Sequence, residues 1–87
     1  MYFVYMLRCA DHSLYIGETD DIDGRIARHQ EGRGCAYTTA RRPVRLVYTE
    51  EFPTRTEARR REHQLKGWTR RKKEAIVAGD LDTLKRL

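Results

Sequence analysis

Residues 2–17, YFVYMLRCADHSLYIG, decide the fold of this chain because they predict two β-strands joined by a short turn. Tyr2 to Leu7 are aromatic and β-branched enough for a strand, and Leu14-Tyr15-Ile16 resumes this character before Gly17. The polar residues between them, Ala10-Asp11-His12-Ser13, indicate the turn. We therefore expect a β-hairpin over this stretch.

The hairpin is expected to bring two tyrosines together. Side chains alternate between the faces of a strand, so Tyr5 shares a face with Phe3 and Leu7. An antiparallel partner strand can place Tyr15 opposite or diagonal to Tyr5. Both phenol rings then project toward one spot.

A helix and a third strand follow the hairpin. Thr19-Asp20-Asp21 supplies an N-cap for a helix that carries Ile22, Ile26 and Ala27 and ends at about Gln30. Residues 32–43 are too polar and too interrupted for a regular element, which predicts a surface loop. Residues 44–52 predict the third strand, with Leu46 and Tyr48 on one side and Val47 on the other.

Helical patterns dominate the rest of the chain. The spacing of Thr54 and Glu57 is that of a capping box, which predicts a helix from Arg55 to about Lys66. Thr69 caps a second helix through Ala78, and leucines 81, 84 and 87 indicate a last helical turn or two. The expected fold is α+β, within the broad α/β class: a small three-stranded antiparallel sheet flanked by helices, as a single domain over residues 1–87.

Composition excludes several classes of protein. No apolar stretch approaches the roughly 18 residues that span a bilayer, so we expect a soluble, cytoplasmic protein without a membrane partner. Cys9 and Cys35 are interpreted as free thiols in a reducing compartment, and they lack the paired spacing of a structural zinc site.

Positive charge is concentrated in the second half of the chain. Residues 1–40 contain four arginines and six acidic residues, whereas residues 41–87 contain fourteen lysines or arginines and seven acidic residues. Clustered cations gain affinity for phosphates by releasing condensed counterions. The pattern therefore favours a polyanionic partner.

Polar residues on the predicted helices are candidates for the chemistry. Glu62 interrupts the apolar stripe of Ala58 and Leu65, so its carboxylate must be paired or must bind a metal. A salt bridge to an arginine is the commoner arrangement. Arg25 and His29 lie one turn apart on the first helix, where they can face one phosphate together.

The spacing of these residues resembles that of the GIY-YIG nuclease domain. Phe3-Val4-Tyr5 is followed by Tyr15-Ile16-Gly17, then by Arg25, His29 and, after the third strand, Glu62. Small stand-alone bacterial members are similar in Tyr5-Met6-Leu7-Arg8-Cys9 and in residues 41–48, and the catalytic domain of the eukaryotic branched-DNA resolvase is similar too. The resemblance spans residues 2 to about 77.

The resemblance implies a catalytic set. One divalent ion, Mg²⁺ or Mn²⁺, would bind through Glu62. Arg25 would hold the scissile phosphate, while Tyr5, Tyr15 and His29 would position and deprotonate the attacking water. Either tyrosine is a candidate for the base, and Gly17 would be structural.

The chain departs from the family pattern at two points. Phe3 stands where the first signature element has glycine, a change that the stand-alone group tolerates. The chain also contains no asparagine, so the late asparagine of homing-type members has no counterpart, and that side of the site is served by Lys66 or by no residue.

Cations around these residues are expected to contact the phosphate backbone of DNA, with a solvated helix face as the alternative for each one. The candidates are Arg41, Arg42, Arg59, Arg61, Lys66, Arg70, Arg71 and Lys72.

The function that we expect is metal-dependent hydrolysis of DNA phosphodiester bonds by an endonuclease. So small a domain cannot read a long duplex sequence, which favours branched or single-stranded DNA in repair or recombination. The alternatives are a nucleic-acid-binding module with little activity and a catalytic subunit that needs a protein partner or a homodimer. An exposed apolar patch at leucines 81, 84 and 87 would support the partner.

Overall fold

The computed structural model describes residues 1–86. Its elements follow in the order β1 (Tyr2–Arg8), β2 (Leu14–Thr19), α1 (Ile22–Gln30), α2 (Ala36–Thr39), β3 (Arg45–Phe52), α3 (Arg55–Lys66), α4 (Arg70–Ala78) and α5 (Leu81–Arg86). The three strands form one antiparallel sheet in the order β2-β1-β3. The α+β fold predicted from the sequence is confirmed.

Strand β1 is the centre of the sheet, and both of its faces are covered. Val4 and Met6 point into one core, which also contains Ala58 and Leu65 of α3. Tyr5 and the neighbouring apolar side chains of its face form a second core, against which Ile22 and Ile26 of α1 pack. Helices α1 and α3 therefore lie on opposite faces of the sheet, as the alternation of β1 side chains requires.

Strand β3 contains a β-bulge that the sequence pattern did not reveal. Met6 pairs with Tyr48 and Leu7 pairs with Leu46, so Val47 is an extra residue in the ladder. Val47 and Tyr48 consequently both pack against the first core, while Leu46 is exposed. The expectation that Leu46 and Tyr48 share a face is wrong, because the bulge shifts the alternation by one residue.

Side-chain caps begin the three longer helices where the sequence predicted them. The carboxylate of Asp21 accepts a hydrogen bond from the Gly24 backbone amide, and the Thr54 hydroxyl oxygen accepts one from the Glu57 backbone amide. Thr69 caps α4 in the same way. These bonds satisfy backbone amides that the first helical turn leaves without partners.

The loop between α1 and β3 is more regular than its composition indicates. Residues 36–39 form the one-turn helix α2, so the expectation of no regular element over residues 32–43 is wrong there. The Thr39 hydroxyl donates to the carbonyls of Cys35 and Gly32, which closes the turn with side-chain bonds. Polar residues hold this segment together where apolar packing does not.

The two C-terminal leucines within residues 1–86 do not share one exposed patch. Leu81 is 62% exposed, but Leu84 packs against the first core. Leu87 lies outside the described residues. No helix within residues 1–86 is long and apolar enough to cross a membrane.

Leu65 tests the first core. Replacing this fully buried side chain by alanine leaves a cavity between α3 and β1, so Leu65→Ala is expected to lower the free energy of unfolding by about 2–5 kcal/mol. Urea unfolding measures the change. The control Leu81→Ala removes an exposed leucine and is expected to change stability by less than about 0.5 kcal/mol, and an equal loss in both variants would contradict this assignment.

Candidate active site

The hairpin places Tyr5 and Tyr15 diagonally on one face of the sheet. Tyr5 pairs with Gly17, and Tyr15 pairs with Leu7 two positions along β1. The centroids of the two phenol rings are 6.4 Å apart. The expected convergence of the two tyrosines is confirmed.

Gly17 provides the space that Tyr5 occupies. A Cβ atom at this position would lie 2.4 Å from Tyr5 Oη and 2.5 Å from Cζ, closer than any side chain permits. The Tyr5 ring itself is almost fully buried, so it cannot move aside. The absence of a side chain at Gly17 is therefore a steric requirement of the opposite strand.

His29 joins the tyrosines from α1 and forms a buried hydrogen-bonded chain. Its Nε2 lies 3.0 Å from Tyr5 Oη and its Nδ1 lies 2.7 Å from the Thr38 hydroxyl oxygen. The Thr38 hydroxyl is within 3.3 Å of the Cys35 carbonyl, to which it can donate. We assign the proton of the neutral ring to Nδ1, which donates to Thr38, and the Tyr5 hydroxyl then donates to Nε2.

Burial sets the protonation of this chain. It lowers the pKa of His29, and the guanidinium groups of Arg25 and Arg28 lower it further. Although a helix C-terminus favours a charged histidine, desolvation outweighs that effect here. Burial raises the pKa of Tyr5 to about 12, while the Arg25 guanidinium opposes this rise. At neutral pH both groups are therefore uncharged.

Sequence reasoning missed the residues that support His29 from the loop. Thr38 is fully buried and accepts from Nδ1. A Cβ at Gly34 would lie 2.1 Å from His29 Nδ1, so this glycine leaves room for the imidazole. No feature of the sequence around Thr38 indicates its role. The glycines of the loop are different, because a glycine can indicate that another group approaches the backbone closely, and not only that regular structure is interrupted.

Tyr15 has a different partner from Tyr5. Its neighbour is the Cys35 side chain, and burial together with this neighbour raises the pKa of Tyr15. The Cys35 thiol also lies 3.5 Å from the Thr38 hydroxyl. Cys35 and the buried Cys9 are both free, as expected for a chain with only two cysteines and no sign of export.

Arg25 stands one helical turn before His29. Burial raises the pKa of Tyr5, and the nearby Arg25 guanidinium opposes this rise. Arg25 lines a polar cavity of about 210 Å³ together with Thr19, Asp20, Asp21, Gly24 and Arg28. No salt bridge engages Arg25 within residues 1–86. Its guanidinium is therefore available to an anionic ligand.

Glu62 projects from α3, which lies on the opposite face of the sheet from α1. Its side chain is 22% exposed and lies 3.5 Å from Lys66 Nζ, so its ion-pair partner is a lysine rather than the expected arginine. Burial is the main cause of the raised pKa of both tyrosines, and the negative charge of Glu62 adds a smaller contribution.

The donor set fits a weakly held, hard divalent ion. Within residues 1–86 no group of three or more His, Cys, Asp or Glu side chains converges on one point. A single half-exposed carboxylate with an exposed partner suits Mg²⁺ or Mn²⁺, which retain several waters and take further oxygens from a phosphate. Zinc would require more protein ligands.

The sequence matches the GIY-YIG catalytic domain over residues 1–75. The chain belongs to the GIY-YIG family. This is a family of nucleases, and its members generally use a divalent metal.

Curated relatives are similar over nearly their whole length. A UPF0213 protein of Natronomonas pharaonis is 46% identical over 79 residues, which cover 91% of this chain and 93% of the relative. A UPF0213 protein of Staphylococcus aureus is 45% identical over 76 residues, which cover 87% and 93%. These names state no activity or substrate.

A solved structure shows the same fold. The solution NMR structure of a UPF0213 protein from Bacillus halodurans is 48% identical to this chain, with a TM-score of 0.59. The match covers 90% of this chain and 84% of that one. The small stand-alone group identified from the sequence is therefore the right branch of the GIY-YIG family.

Four of the candidate DNA-contacting cations of this GIY-YIG domain fall into two groups. Arg61 is held by Glu50 at 2.9 Å and packs over Trp68, and Arg70 donates to the His12 carbonyl. Arg59 and Arg71 are exposed and make no ion pair within residues 1–86. The first group stabilises the fold, and the second is free to contact phosphates.

The remaining cations are held locally. Arg42 donates to the carbonyls of Thr39 and Gln30, and Lys66 pairs with Glu62. Arg41 is bound to Asp11 and lies over the ring of Tyr37. Lys72 Nζ lies 4.3 Å from the centre of the Trp68 ring.

Gly17 tests the packing of Tyr5. Gly17→Ala is expected to lower the free energy of unfolding by about 1–3 kcal/mol, because its methyl group collides with a ring that has no room to move. Urea unfolding measures this. Gly67→Ala is the matched control, since a Cβ there meets no atom closer than 3.5 Å, and an equal loss in the two variants would contradict the steric account.

His29 makes stability depend on pH in a known direction. The folded pKa lies below that of the unfolded chain, so the unfolded state binds the extra proton, and stability is lost as the pH falls below about 6.5. Urea unfolding from pH 7.5 to 5.5 measures the slope. We expect a smaller slope in His29→Gln and an unchanged one in the control His63→Gln, whereas an unchanged slope in His29→Gln would contradict the assignment.

Proposed function

We propose that this protein is a metal-dependent endonuclease that hydrolyses DNA phosphodiester bonds, with Tyr5, Tyr15, Arg25, His29 and Glu62 as its catalytic set. The observation that carries the proposal is the buried chain from Tyr5 through His29 to Thr38, with Arg25 beside the Tyr5 hydroxyl. Packing alone does not require a histidine between Tyr5 and Thr38, whereas a proton relay requires one there.

Tyr5 is the general base in this proposal. A phenol whose pKa is raised to about 12 cannot serve as a free phenolate at neutral pH. It can, however, pass its own proton to His29 Nε2 while its oxygen takes the proton of the attacking water. Thr38 holds the imidazole in the tautomer that leaves Nε2 free to accept.

Tyr15 has no comparable acceptor. Its pKa is raised by burial and by the neighbouring Cys35 side chain. We therefore assign Tyr15 to orienting the water and Tyr5 to deprotonating it. This assignment follows from the partner of the Tyr5 hydroxyl, because His29 Nε2 can accept its proton.

Arg25 is assigned to the scissile phosphate. A guanidinium with no carboxylate partner can donate two parallel hydrogen bonds to phosphate oxygens and stabilise the charge that builds up in the transition state. Its position beside Tyr5 keeps the phosphate next to the base. Arg28, which lines the same cavity, adds positive charge nearby.

Glu62 is assigned to holding one Mg²⁺ or Mn²⁺ ion. Such an ion, when bound, supplies Lewis-acid polarisation of the phosphoryl oxygens. The carboxylate lies 3.5 Å from Lys66 Nζ and is partly accessible from solvent. Lys66 can shift to a phosphate when Glu62 takes another cation as its partner.

The proposed substrates are branched or single-stranded DNA, met during repair or recombination in the cytoplasm. Exposed cations on α3 and α4, such as Arg59 and Arg71, support contact with a phosphate backbone. A binding module without activity would need these cations but not Glu62 or the buried relay.

Cleavage of labelled single-stranded, duplex and branched DNA with Mg²⁺ or Mn²⁺ at low salt tests the proposal. Tyr5→Phe removes only the hydroxyl and is expected to reduce the rate by roughly 10²–10⁴-fold. Arg25→Lys keeps the charge but loses the paired donors, and we expect a loss of about 10²–10³-fold. Glu62→Gln is expected to abolish metal-dependent cutting.

Matched controls separate chemistry from folding. Tyr2→Phe lies on the same strand as Tyr5, and Glu57→Gln lies on the same helix as Glu62. Both are expected to cut as the wild type does. Absence of cutting in every protein, with DNA binding intact, would favour the binding module or a missing partner, whereas cutting that survives all three site variants would refute the assigned residues.

A further inference from the structure

A row of planar side chains leads from the candidate active site to the protein surface. The Tyr15 ring lies 5.2 Å from the His29 ring, measured between centroids. Tyr37 stacks on the outer side of this pair, 6.0 Å from Tyr15 and inclined by 29°. The Arg41 guanidinium carbon lies 3.8 Å from the centre of the Tyr37 ring. The four groups form a continuous row, in which Tyr37 is stacked on Tyr15 and the His29 ring is tilted by 60° from Tyr15.

The outer end of the row is held in place before any ligand arrives. Arg41 Nε donates to the Asp11 carboxylate at 3.0 Å, and Nη1 donates to the Tyr37 carbonyl at 2.9 Å. These two bonds keep the guanidinium over the ring. A long side chain that is already ordered loses less entropy when it binds.

Core packing does not explain Tyr37. Its ring belongs to neither core cluster and is 37% exposed, and the Arg41 side chain is 35% exposed. The surrounding loop closes through threonine hydroxyls and glycines, which need no aromatic neighbour. The Arg41 guanidinium covers the outer face of the ring and is itself partly exposed, so the pair offers a supported guanidinium plane that is suited to a planar, anionic ligand.

We propose that Tyr37 and Arg41 form a stacking platform for an unpaired nucleobase of the strand whose phosphodiester lies at the candidate active site. The proposal rests on the proposed nuclease function and adds a binding element to it. A nucleotide combines the flat π-face that an aromatic ring or a guanidinium plane accepts with the phosphate that the Arg41 charge attracts. The row leads directly to Tyr15, so the base belongs to a nucleotide next to the cut.

The platform selects the state of the strand rather than its sequence. Bases inside a duplex have both faces covered by their neighbours, so only an unstacked base can use the platform. Every base has a π-face, which predicts little preference among the four. Single strands, flaps and the splayed nucleotides of a branch point share this feature.

Abasic scanning with the wild-type protein tests the platform directly. A set of fluorescent single strands, each lacking one base but retaining every phosphate, is titrated in EDTA so that cleavage cannot occur. We expect binding to weaken by roughly 5- to 100-fold when one particular base is missing and to change little elsewhere. Equal binding of all the strands would overturn the proposal, because charge alone would then account for affinity.

Variants locate the base on the protein. Tyr37→Ala should lose affinity for the intact strand by the same factor that the abasic substitution costs, and it should lose nothing further on that abasic strand. Tyr37→Phe should bind as the wild type does. Arg41→Lys keeps the charge and loses the plane, so it tests the guanidinium without removing the ring. Arg33→Lys, in the same loop, is the control.

The two proposals fail separately. Position-dependent binding without any cutting in Mg²⁺ or Mn²⁺ would leave the platform standing and refute the nuclease. Cutting that depends on Tyr5, Arg25 and Glu62 but is indifferent to the missing base would do the reverse. Should Tyr37→Ala melt at a lower temperature by circular dichroism, the abasic scan on the wild type and the Tyr37→Phe and Arg41→Lys variants still decide the question.

Discussion

The hydrogen bond between Tyr5 and His29 is the interaction on which the rest of the candidate site depends. It joins the central strand to α1 inside the protein, where an unpaired hydroxyl or imidazole would be costly. Each neighbour follows from it: Gly17 leaves room for the phenol, Gly34 leaves room for the imidazole, and Thr38 satisfies the second ring nitrogen. Tyr5 therefore belongs both to the second core and to the candidate catalytic relay.

Burial and charge act on this relay in opposite directions. Desolvation keeps Tyr5 protonated and His29 neutral, which favours passing a proton along the chain over storing a charge on it. Arg25 opposes the effect at Tyr5, because its positive charge stabilises a developing phenolate. A base that is neutral at rest and becomes reactive beside a bound phosphate suits hydrolysis through a buried relay.

The many cations of the second half of the chain have different roles in the fold. Arg61 is paired with Glu50. Arg8 of the hairpin donates to both carboxylate oxygens of Glu74, and this ion pair connects α4 to the sheet. Arg41 is bound to Asp11 yet stays exposed, so it can still meet a ligand. Net charge predicted a polyanionic partner, but only the ion pairs show which arginines are available to it.

The sequence alone determined the elements and most of the candidate site. Hairpin, caps and helices depend on local spacing, and Tyr5, Tyr15 and Gly17 meet because an antiparallel register leaves them few alternatives. Tertiary structure decided what local spacing cannot encode. The bulge at Val47, the short helix of residues 36–39 and the partner of His29 arise from contacts between segments that are distant along the chain. The fold places Thr38 beside His29, since no residue near Thr38 in the sequence indicates that its hydroxyl accepts from a buried imidazole.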